Sequence, residues 1–349
     1  MNQTRLEAFV GQVVQDLAAG ESAVATYLGD VLGLYRAMQG AGPVTSAELA
    51  RRTGTHERYV REWLHNQVAG DYIEHQPDAG TFELTAEQGA VLADDQSPTY
   101  LMGILEILAA MWASADRVAH AFRTGEGVDY GEHDPRLTSG VGRLFEPLYR
   151  ASLINEWIPA IDGLHDRLTA GANVLDVGCG TGVSSVLMAQ AYPKSRFLGV
   201  DLDRDAIETA SKAAAEAGVG DRVRFEVAAA SSQHEGPYDL VTFFDALHDI
   251  GDPVRVATTV VDQLADDGIL MAVEPAAGDR LEDNRNPISR LFYAGSIFVC
   301  TPSALAHGSD ALGAQAGPSR LIEVLRNAGL TQARVAAQTP FNLILEGRP

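Results

Sequence analysis

Cysteine and lysine are nearly absent from this sequence, which has only two of each. The two cysteines, Cys179 and Cys300, lie far apart in apolar surroundings. They supply neither a disulfide framework nor a cysteine-based metal site, so we interpret both as small buried residues. Positive charge is scarce overall, because 26 basic residues face 47 acidic ones and the formal net charge is −21. Phosphate backbones and anionic lipids attract clustered Lys and Arg, so this balance disfavours nucleic acid or a membrane as partner.

Long apolar runs are also missing, since no uninterrupted stretch reaches the roughly 18 residues that a membrane span needs. The first residues lack the basic head and pure apolar run of a secretory signal. The apolar fraction of 46% and the charged fraction of 21% are typical of globular proteins. We therefore expect a cytoplasmic protein. Its 349 residues exceed what one hydrophobic core usually organises, which predicts at least two domains.

The amino-terminal part, residues 1–90, has the pattern of a winged helix. Residues 24–38 predict one buried helical stripe of Val24, Tyr27, Leu28, Val31, Leu32 and Tyr35. Residues 40–74 then predict a short helix capped at Thr45 or Ser46, a turn at Thr53 and Gly54, and a second helix whose inward side chains are Tyr59, Val60, Trp63, Leu64 and Val68. Two β-like segments around the turn at 77–80 predict the hairpin wing.

A winged helix serves either DNA reading or dimerisation and covering of a substrate, and charge distinguishes these roles. Residues 24–85 carry five arginines against eight acidic residues. The second helix would bring Glu57 and Glu62 towards phosphates, so the pattern favours a dimerisation domain in a homodimer. Residues 91–165 are mainly helical in pattern, and we interpret them as a helical linker and substrate cap. Within them, residues 123–140 fit no periodicity and are interpreted as a lid.

From residue 173 short apolar strands alternate with amphipathic helices, which is the pattern of a parallel sheet covered on both faces. The helices are predicted to begin near Val183, Asp205, Asp252 and Ser319. We therefore predict an α/β domain over residues 166–349, with a seven-stranded, doubly wound, Rossmann-like sheet. Its strands are NVLDVG, RFLGVDL, VRFEVA, YDLVTFFD, GILMAVEP, QARVAA and FNLILEG.

The first of these strands ends in VLDVGCGTG, residues 174–182, where glycines let the backbone turn tightly and approach a ligand. Gly178, Gly180 and Gly182 have the spacing G-x-G-x-G, whereas a dinucleotide fingerprint would need its third glycine at Val183. Asp176 precedes the first glycine by two residues. A carboxylate there suits the ammonium group of S-adenosylmethionine and would repel the pyrophosphate of NAD. The loop therefore favours S-adenosylmethionine.

The second strand ends at Asp201, nineteen residues after Gly182. A carboxylate at this place can accept both hydroxyls of a ribose, and Leu202 beside it is also expected at the cofactor. Either signal alone is weak, because many α/β proteins have a glycine turn and an aspartate at a strand end is often a helix cap. Together they predict a nucleoside cofactor at the carboxyl edge of the sheet.

The sequence resembles the class I methyltransferases with an amino-terminal winged helix, in particular an actinobacterial group that has VLDVGCGTG, FFDALHDIGDP, VEP, CTPSAL and ALGAQAG. The resemblance covers nearly the whole chain. It implies S-adenosylmethionine as cofactor, S-adenosylhomocysteine as product and a small-molecule substrate. The family usually has an acidic residue for adenine after the third strand, but this chain has Ala229. The resemblance then implies that backbone and neighbours such as Ala230 and Ser231 hold the adenine.

The fourth strand leads into FFDALHDIGDP, which places Asp245, His248 and Asp249 at the edge of the sheet where ligands bind in this architecture. Asp245 is expected at the cofactor. LHDIGD resembles the H-D-W-x-D sequence of plant-type and natural-product O-methyltransferases, which implies that His248, assisted by Asp249, is the general base and that Glu274 orients it. Ile250 replaces the family's tryptophan, and related enzymes also keep a similar sequence for packing alone.

Metal ligation is an alternative use of His248 and Asp249, as in relatives that methylate the carbon beside a 2-oxo acid. A third ligand is required, and His307 has no spacing that supports it, so no metal is predicted. Residues 286–305 offer apolar side chains either to a pocket wall or to the core: Leu291, Phe292, Tyr293, Phe298 and Cys300. We predict O-methylation of an apolar or aromatic small molecule. N-methylation, C-methylation and a DNA-binding regulator that senses S-adenosylmethionine remain open alternatives.

Overall fold

The computed structural model describes all residues from 1 to 349 and contains 14 α-helices and nine β-strands. The helices are α1 Gln3–Val31, α2 Leu34–Met38, α3 Ser46–Thr53, α4 Glu57–Ala69, α5 Ala86–Leu92, α6 Gly103–Thr124, α7 Arg136–Ser152, α8 Leu164–Ala170, α9 Val183–Ala191, α10 Arg204–Glu216, α11 Pro253–Val261, α12 Pro287–Gly295, α13 Thr301–His307 and α14 Pro318–Asn327. The strands are β1 Glu74–Gln76, β2 Thr81–Glu83, β3 Asn173–Val177, β4 Arg196–Asp201, β5 Val223–Val227, β6 Tyr238–Phe244, β7 Leu264–Pro275, β8 Gln332–Gln338 and β9 Asn342–Arg348.

The chain forms two compact units that do not follow one another in sequence. The first consists of residues 1–109 and 139–147, and the second of residues 110–138 and 148–349. The segment 91–165, which the sequence suggests as a helical linker, is helical over most of its length and is divided between the two units. The predicted domain limits at residues 90 and 165 therefore do not coincide with the limits of the two compact units.

The first unit contains the predicted winged helix. Thr45 caps α3 by accepting a hydrogen bond from the Glu48 amide, and Gly54 ends the helix with a φ of +66°. The hairpin β1–β2 pairs antiparallel and is only three residues long on each side. In α4, Trp63 and its apolar neighbours face the core, but Tyr59 is 79% exposed, so its predicted inward position is wrong.

The first helix differs from the prediction for residues 24–38. Gly33, with a φ of +68°, separates α1 from α2, and the large apolar side chains of Val24, Leu28, Val31 and Leu32 are exposed. The face that packs on the unit consists mainly of small residues, together with the partly buried Tyr27. A Cβ atom at Gly29 would lie only 2.5 Å from the Trp63 ring, so the helix approaches too closely for a larger residue there. The predicted buried stripe is therefore wrong for Val24, Leu28, Val31 and Leu32, whereas Tyr27 is partly buried and Tyr35 in α2 is buried.

The second unit contains the predicted seven-stranded sheet, with the order β5-β4-β3-β6-β7-β9-β8. Strands β3 to β7 pair in parallel, and β9 pairs antiparallel with β7 and β8. Each predicted helix start lies within one residue of the observed one. The fold class is thereby confirmed. Strand order reverses at β3, which has β4 on one side and β6 on the other, and this switch point is where open α/β sheets bind ligands.

The continuous helical stretch Pro287–His307 is long and apolar enough to cross a membrane by length and composition, with a mean hydropathy of 1.2. It consists of α12, a π-helical turn at Ser296–Cys300, and α13. Its carboxyl-terminal half places Val299, Cys300 and Ala304 in the interior of the second unit. We therefore interpret this stretch as a helix of the folded domain.

Candidate cofactor and acceptor site

The glycine loop after β3 is packed tightly at both ends and open in the middle. Gly178 and Gly182 have φ values of +70° and +78°, which favour glycine. A Cβ atom at Gly182 would lie 2.6 Å from the Phe225 ring, so a side chain does not fit there. At Gly180, by contrast, no atom lies within 4 Å of where a Cβ atom would be. The loop therefore presents bare backbone to open space beside the strand ends.

Asp176 lies beneath this loop and not on its open side. Its carboxylate is completely buried and accepts hydrogen bonds from three hydroxyls, Ser184 and Ser185 at 2.7 Å and Thr242 at 2.9 Å. Burial raises the pKa of Asp176, and the three hydroxyls oppose that shift. These bonds tie β3 to β6 and to the first turn of α9. This position differs from the predicted contact with an ammonium group, because both carboxylate oxygens are engaged inside the sheet.

Asp201 is turned towards the loop. One carboxylate oxygen accepts a hydrogen bond from the Gly180 amide at 2.8 Å, and the other accepts one from the Asp203 amide at 2.9 Å. Burial raises the pKa of Asp201, and the amide donors oppose that shift. An ionised carboxylate has about four acceptor positions, so two hydroxyls can still be accepted. Leu202 beside it is 56% exposed. The open space at Gly180 and the adjacent carboxylate thus fit an adenosyl group.

Ala229 and Ala230 follow β5 and are both half-buried. The preceding residue, Ala228, donates its amide hydrogen to the carbonyl of Asp201 at 2.9 Å, which keeps this segment next to the end of β4. The two alanines therefore lie on the same edge of the sheet as Asp201, and they contribute methyl groups and backbone rather than a carboxylate.

Asp245 follows β6 and has a left-handed backbone, with a φ of +49°. Such strain in a non-glycine residue is concentrated at functional sites. Its carboxylate accepts hydrogen bonds from the Tyr149 hydroxyl at 2.6 Å and from the Asn342 amide at 3.2 Å. Burial raises the pKa of Asp245 to about 7. Asn342 belongs to the predicted last strand, FNLILEG, whereas Tyr149 has no spacing signal because it lies far away in α7.

His248 is buried between two carboxylates, with only 6% of its surface exposed. Its Nδ1 lies 2.6 Å from Oε2 of Glu274, which also accepts the His248 amide at 3.3 Å, while Oε1 of Glu274 accepts the Leu247 amide at 2.9 Å. Its Nε2 lies 3.1 Å from Oδ1 of Asp249. Burial lowers the pKa of His248, but the two carboxylates outweigh burial and raise the pKa well above its ordinary value. The structure thus brings together the three predicted catalytic residues.

A third chemical group lies at His248 that the sequence does not reveal. The thiol of Cys300, the Nε2 of His248 and a carboxylate oxygen of Asp249 all lie within 4.8 Å of one another. Burial raises the pKa of Cys300 to about 12, so in these surroundings it is a thiol. His307, the other residue considered as a third ligand, instead pairs with Asp129 at 2.7 Å. Cys300 reaches the site from the π-helical turn between α12 and α13, which no sequence pattern predicts.

The segment interpreted as a lid is attached to α13. The amide of Val128 donates a hydrogen bond to the carbonyl of Pro302 at 3.0 Å. The ion pair between Asp129 and His307 joins the same two segments. His133 is buried, with its Nδ1 3.0 Å from the hydroxyl of Ser114. Residues 130–132 form a 3-10 turn and α7 begins at 136, so regular structure occupies much of a segment where the sequence predicts none.

The fold belongs to the doubly wound α/β class, and comparisons with known proteins identify the family. Residues 168–298 match the family model described as a methyltransferase domain. Residues 20–94 match the Rv2258c-like winged helix-turn-helix domain. The chain is 31% identical over 190 residues to a ubiquinone biosynthesis O-methyltransferase of Bordetella avium, a match that covers 53% of this chain and 72% of that protein. This chain therefore belongs to the methyltransferase family, with a winged helix at its amino end, as the sequence predicts.

Three further matches either cover a smaller part of the related protein or have a lower sequence identity than the Bordetella avium match. The ubiquinone biosynthesis O-methyltransferase of Psychrobacter arcticus is 30% identical over 167 residues, which is 47% of this chain and 60% of that protein. The solved structure of the mitomycin 7-O-methyltransferase MmcR has a TM-score of 0.74 at 19% identity, and the match covers 99% of this chain and all of that one. Human N-acetylserotonin methyltransferase in complex with S-adenosylmethionine has a TM-score of 0.71 at 16% identity, with 100% and 98% covered. These two structures share the fold over nearly the whole chain.

Proposed function

We propose that this protein transfers a methyl group from S-adenosylmethionine to an oxygen atom of a small molecule. The observation that carries the proposal is the buried pair of His248 and Glu274, 2.6 Å apart, on the same strand edge as the glycine loop and Asp201. This edge is the ligand-binding edge of a doubly wound sheet. It offers a nucleoside position and a proton-accepting position side by side.

The cofactor position would be formed by the loop backbone at Gly178, Gly180 and Gly182, with Asp201 accepting the ribose hydroxyls. We assign Leu202, Ala229, Ala230 and Asp245 to the surroundings of the same ligand. Asp176 holds the loop in place through its three hydroxyl partners instead of contacting the ligand. When bound, S-adenosylmethionine supplies a methyl group on a positively charged sulfur atom and leaves as S-adenosylhomocysteine.

The acceptor position would lie at His248. A hydroxyl acceptor must lose its proton as its oxygen takes the methyl group, so the protein has to supply a group that assists this loss. Glu274 engages Nδ1 of His248, so the ring orientation is fixed and Nε2 faces the carboxylate of Asp249 at 3.1 Å. An acceptor hydroxyl would pass its proton to this pair of His248 and Asp249. We assign His248 and Asp249 to activation of the acceptor and Glu274 to orientation of the imidazole ring.

The acceptor is proposed to be apolar or aromatic. Phe292, Tyr293 and Phe298 in the stretch before Cys300 are half-buried, and Leu291 is 44% exposed. Side chains that are only partly covered in this way are available to a ligand, which favours the pocket wall over a purely structural role. The names of the relatives, which are O-methyltransferases, favour oxygen over nitrogen or carbon as acceptor atom. The resemblance to a mitomycin methyltransferase supports a place in secondary metabolism.

We also propose a cytoplasmic homodimer that forms through the winged-helix unit. The exposed apolar side chains of α1 support this proposal, because a contiguous apolar surface of this kind usually marks an interface: Phe9, Val10, Val13, Val14, Leu17, Val24, Leu28 and Val31. A regulator that binds DNA is disfavoured by the acidic charge of the chain. Light scattering of the purified protein would test the dimer, and a monomer at all concentrations would contradict it.

Calorimetric titration tests the function directly. We expect S-adenosylmethionine and S-adenosylhomocysteine to bind and NAD not to bind. Asp201→Ala should abolish binding because it removes the ribose acceptor, whereas Asp205→Ala, an exposed change in the next helix, should leave binding intact. Unchanged affinity in Asp201→Ala would refute the ribose assignment. Phenols, amines and 2-oxo acids would then be compared as methyl acceptors, and turnover of amines or 2-oxo acids alone would refute O-methylation.

A further inference from the structure

The groups around His248 have the composition of a metal site. Nε2 of His248, a carboxylate oxygen of Asp249 and Sγ of Cys300 converge within 4.8 Å of one another. They come from two elements, the turn after β6 and the π-helical turn before α13. The separation of 3.1 Å between Nε2 and Oδ1 of Asp249 is close to the edge of a coordination tetrahedron with bonds of about 2.0 Å.

The donor types indicate which ion would bind. One imidazole nitrogen, one sulfur and one carboxylate oxygen form a mixed set that favours zinc and similar transition metals, because magnesium and calcium prefer oxygen ligands alone. Three protein ligands with a fourth position left over are typical of zinc sites that bind a substrate atom, whereas structural zinc sites have four protein ligands. The Asp249 side chain is 23% exposed, which leaves that side of the cluster open.

The surroundings support ligation in two further ways. Metal-binding histidines almost always give their other ring nitrogen to a carboxylate or carbonyl, and Glu274 holds Nδ1 of His248 in this manner at 2.6 Å. In addition, Oδ1 of Asp249 is buried without a hydrogen-bond partner of acceptable geometry, although it lies next to Nε2. A bound cation would take the place of the proton that His248 and Asp249 otherwise share at this oxygen.

We propose that His248, Asp249 and Cys300 bind one divalent transition-metal ion, preferentially zinc, whose fourth position takes the heteroatom of the methyl acceptor. Binding forms a metal–sulfur bond at Cys300 and a metal–nitrogen bond at Nε2 of His248, and it releases the thiol proton and the Nε2 proton to solvent. The binding of the ion stands on the cluster alone, and its contact with the acceptor rests on the proposed function. With the ion present, Nε2 of His248 is a ligand, and the ion itself assists deprotonation of an acceptor hydroxyl.

Cobalt(II) is the probe, because its tetrahedral complexes absorb visible light and a thiolate ligand adds a charge-transfer band in the near ultraviolet. The full-length protein is stripped with a chelator and titrated with cobalt in the absence of S-adenosylmethionine. We expect one ion per chain and a thiolate band that zinc abolishes. Cys300→Ser should remove the band and weaken binding by about 10-fold or more. Cys179→Ser, a change of the other buried cysteine outside the cluster, should leave both unchanged.

Asp249→Asn provides a second variant that keeps the thiol, and we expect it to keep the band while the affinity falls by about 10-fold or more. Circular dichroism establishes that each variant is folded. Absence of saturable binding at one ion per chain would overturn the proposal, and so would a Cys300→Ser protein with the wild-type spectrum. Binding of S-adenosylmethionine is measured separately on the stripped protein, so a failed cofactor titration would reject the proposed function without changing the cobalt result.

Discussion

Nδ1 of His248 lies 2.6 Å from Oε2 of Glu274, and both groups are buried at the carboxyl edge of the sheet. Glu274 also accepts the amides of Leu247 and His248, so one carboxylate satisfies three donors. The backbone turn and the imidazole ring are therefore fixed together. Whether Nε2 of His248 receives a proton or binds a metal ion, its direction depends on Glu274.

Glu274→Gln should lower the methyl-transfer rate by about 10- to 100-fold with little change in affinity for S-adenosylmethionine. The reason is that an amide group cannot accept hydrogen bonds on its nitrogen side, so one of the three donors loses its partner. Initial rates and calorimetry measure the two quantities. Glu282→Gln, an exposed change in a neighbouring turn, is the matched control. Equal rates for both variants would show that Glu274 does not orient His248.

His248→Ala should reduce turnover by about 10²- to 10⁴-fold while the cofactor still binds, because we assign this side chain to the acceptor position and not to the cofactor position. Single-turnover rates with saturating S-adenosylmethionine measure this effect. His234→Ala, a change at a histidine in the loop after β5, serves as control. A near-normal rate in His248→Ala would show that this residue has only a structural role in packing.

Asp245 should make the protein less stable as the pH rises. Burial raises its pKa in the folded state to about 7 from an ordinary value of 3.8. The folded state therefore holds this proton more tightly than the unfolded state, and the stabilisation is lost as pH rises through 7. Between pH 5 and 8 the loss is about 3 kcal/mol, at about 1.4 kcal/mol per pKa unit.

Asp245→Asn should lack this loss, because an amide stays neutral, and Oδ1 of Asn342 has no partner and can accept the new amide hydrogen after a flip. Urea unfolding of chelator-treated protein at pH 5 and pH 8 measures the difference. The free energy of unfolding of the variant should therefore increase relative to that of the wild type as the pH rises. Parallel pH dependence of the two proteins would contradict the assignment.

Gly180→Ala and Gly182→Ala should fail in different ways. At Gly182 the new Cβ atom would lie 2.6 Å from Phe225 and the φ is +78°, so the variant should unfold at a lower temperature. At Gly180 the φ is +50°, so alanine is also strained there, but no atom lies near its Cβ position. This variant should therefore lose less stability than Gly182→Ala, while its methyl group occupies the space proposed for the cofactor and weakens cofactor binding. Thermal unfolding and calorimetry separate these effects. Normal cofactor affinity in a folded Gly180→Ala protein would argue against the loop as cofactor site.

Sequence patterns were sufficient for the sheet because its central strands are continuous buried apolar segments, while the edge strands β5 and β8 are partly exposed. The expectation that Glu274 orients His248 came from the resemblance to O-methyltransferases, and the structure places the two side chains 2.6 Å apart because the parallel strands β6 and β7 end at one edge. Sequence patterns failed at Asp176, since a strand pattern does not say whether its carboxylate faces the ligand or the hydroxyls of Ser184 and Thr242. They also failed at Cys300 and Tyr149, which reach the site through tertiary packing of distant helices.

The exposed apolar face of α1 is another feature that sequence patterns did not predict correctly. Apolar spacing predicts that a helix has one buried side, but it does not distinguish burial within the unit from burial against another molecule. In α1 the small residues around Gly29 pack inward, and Val24 and Leu28 remain outside.

The order in which the chain visits its two compact units has a consequence for synthesis on the ribosome. The first unit needs residues 139–147 as well as residues 1–109. Domains generally fold as units during translation, the amino-terminal one first. Here the winged-helix unit lacks one of its own segments until residue 147 has left the exit tunnel, when residues 110–138 of the second unit have already emerged. A nascent chain stopped before that point would leave Asp30 and Glu106 without their ion pairs to Arg143. A single protease cut between residues 110 and 138 would separate the first unit from its final segment.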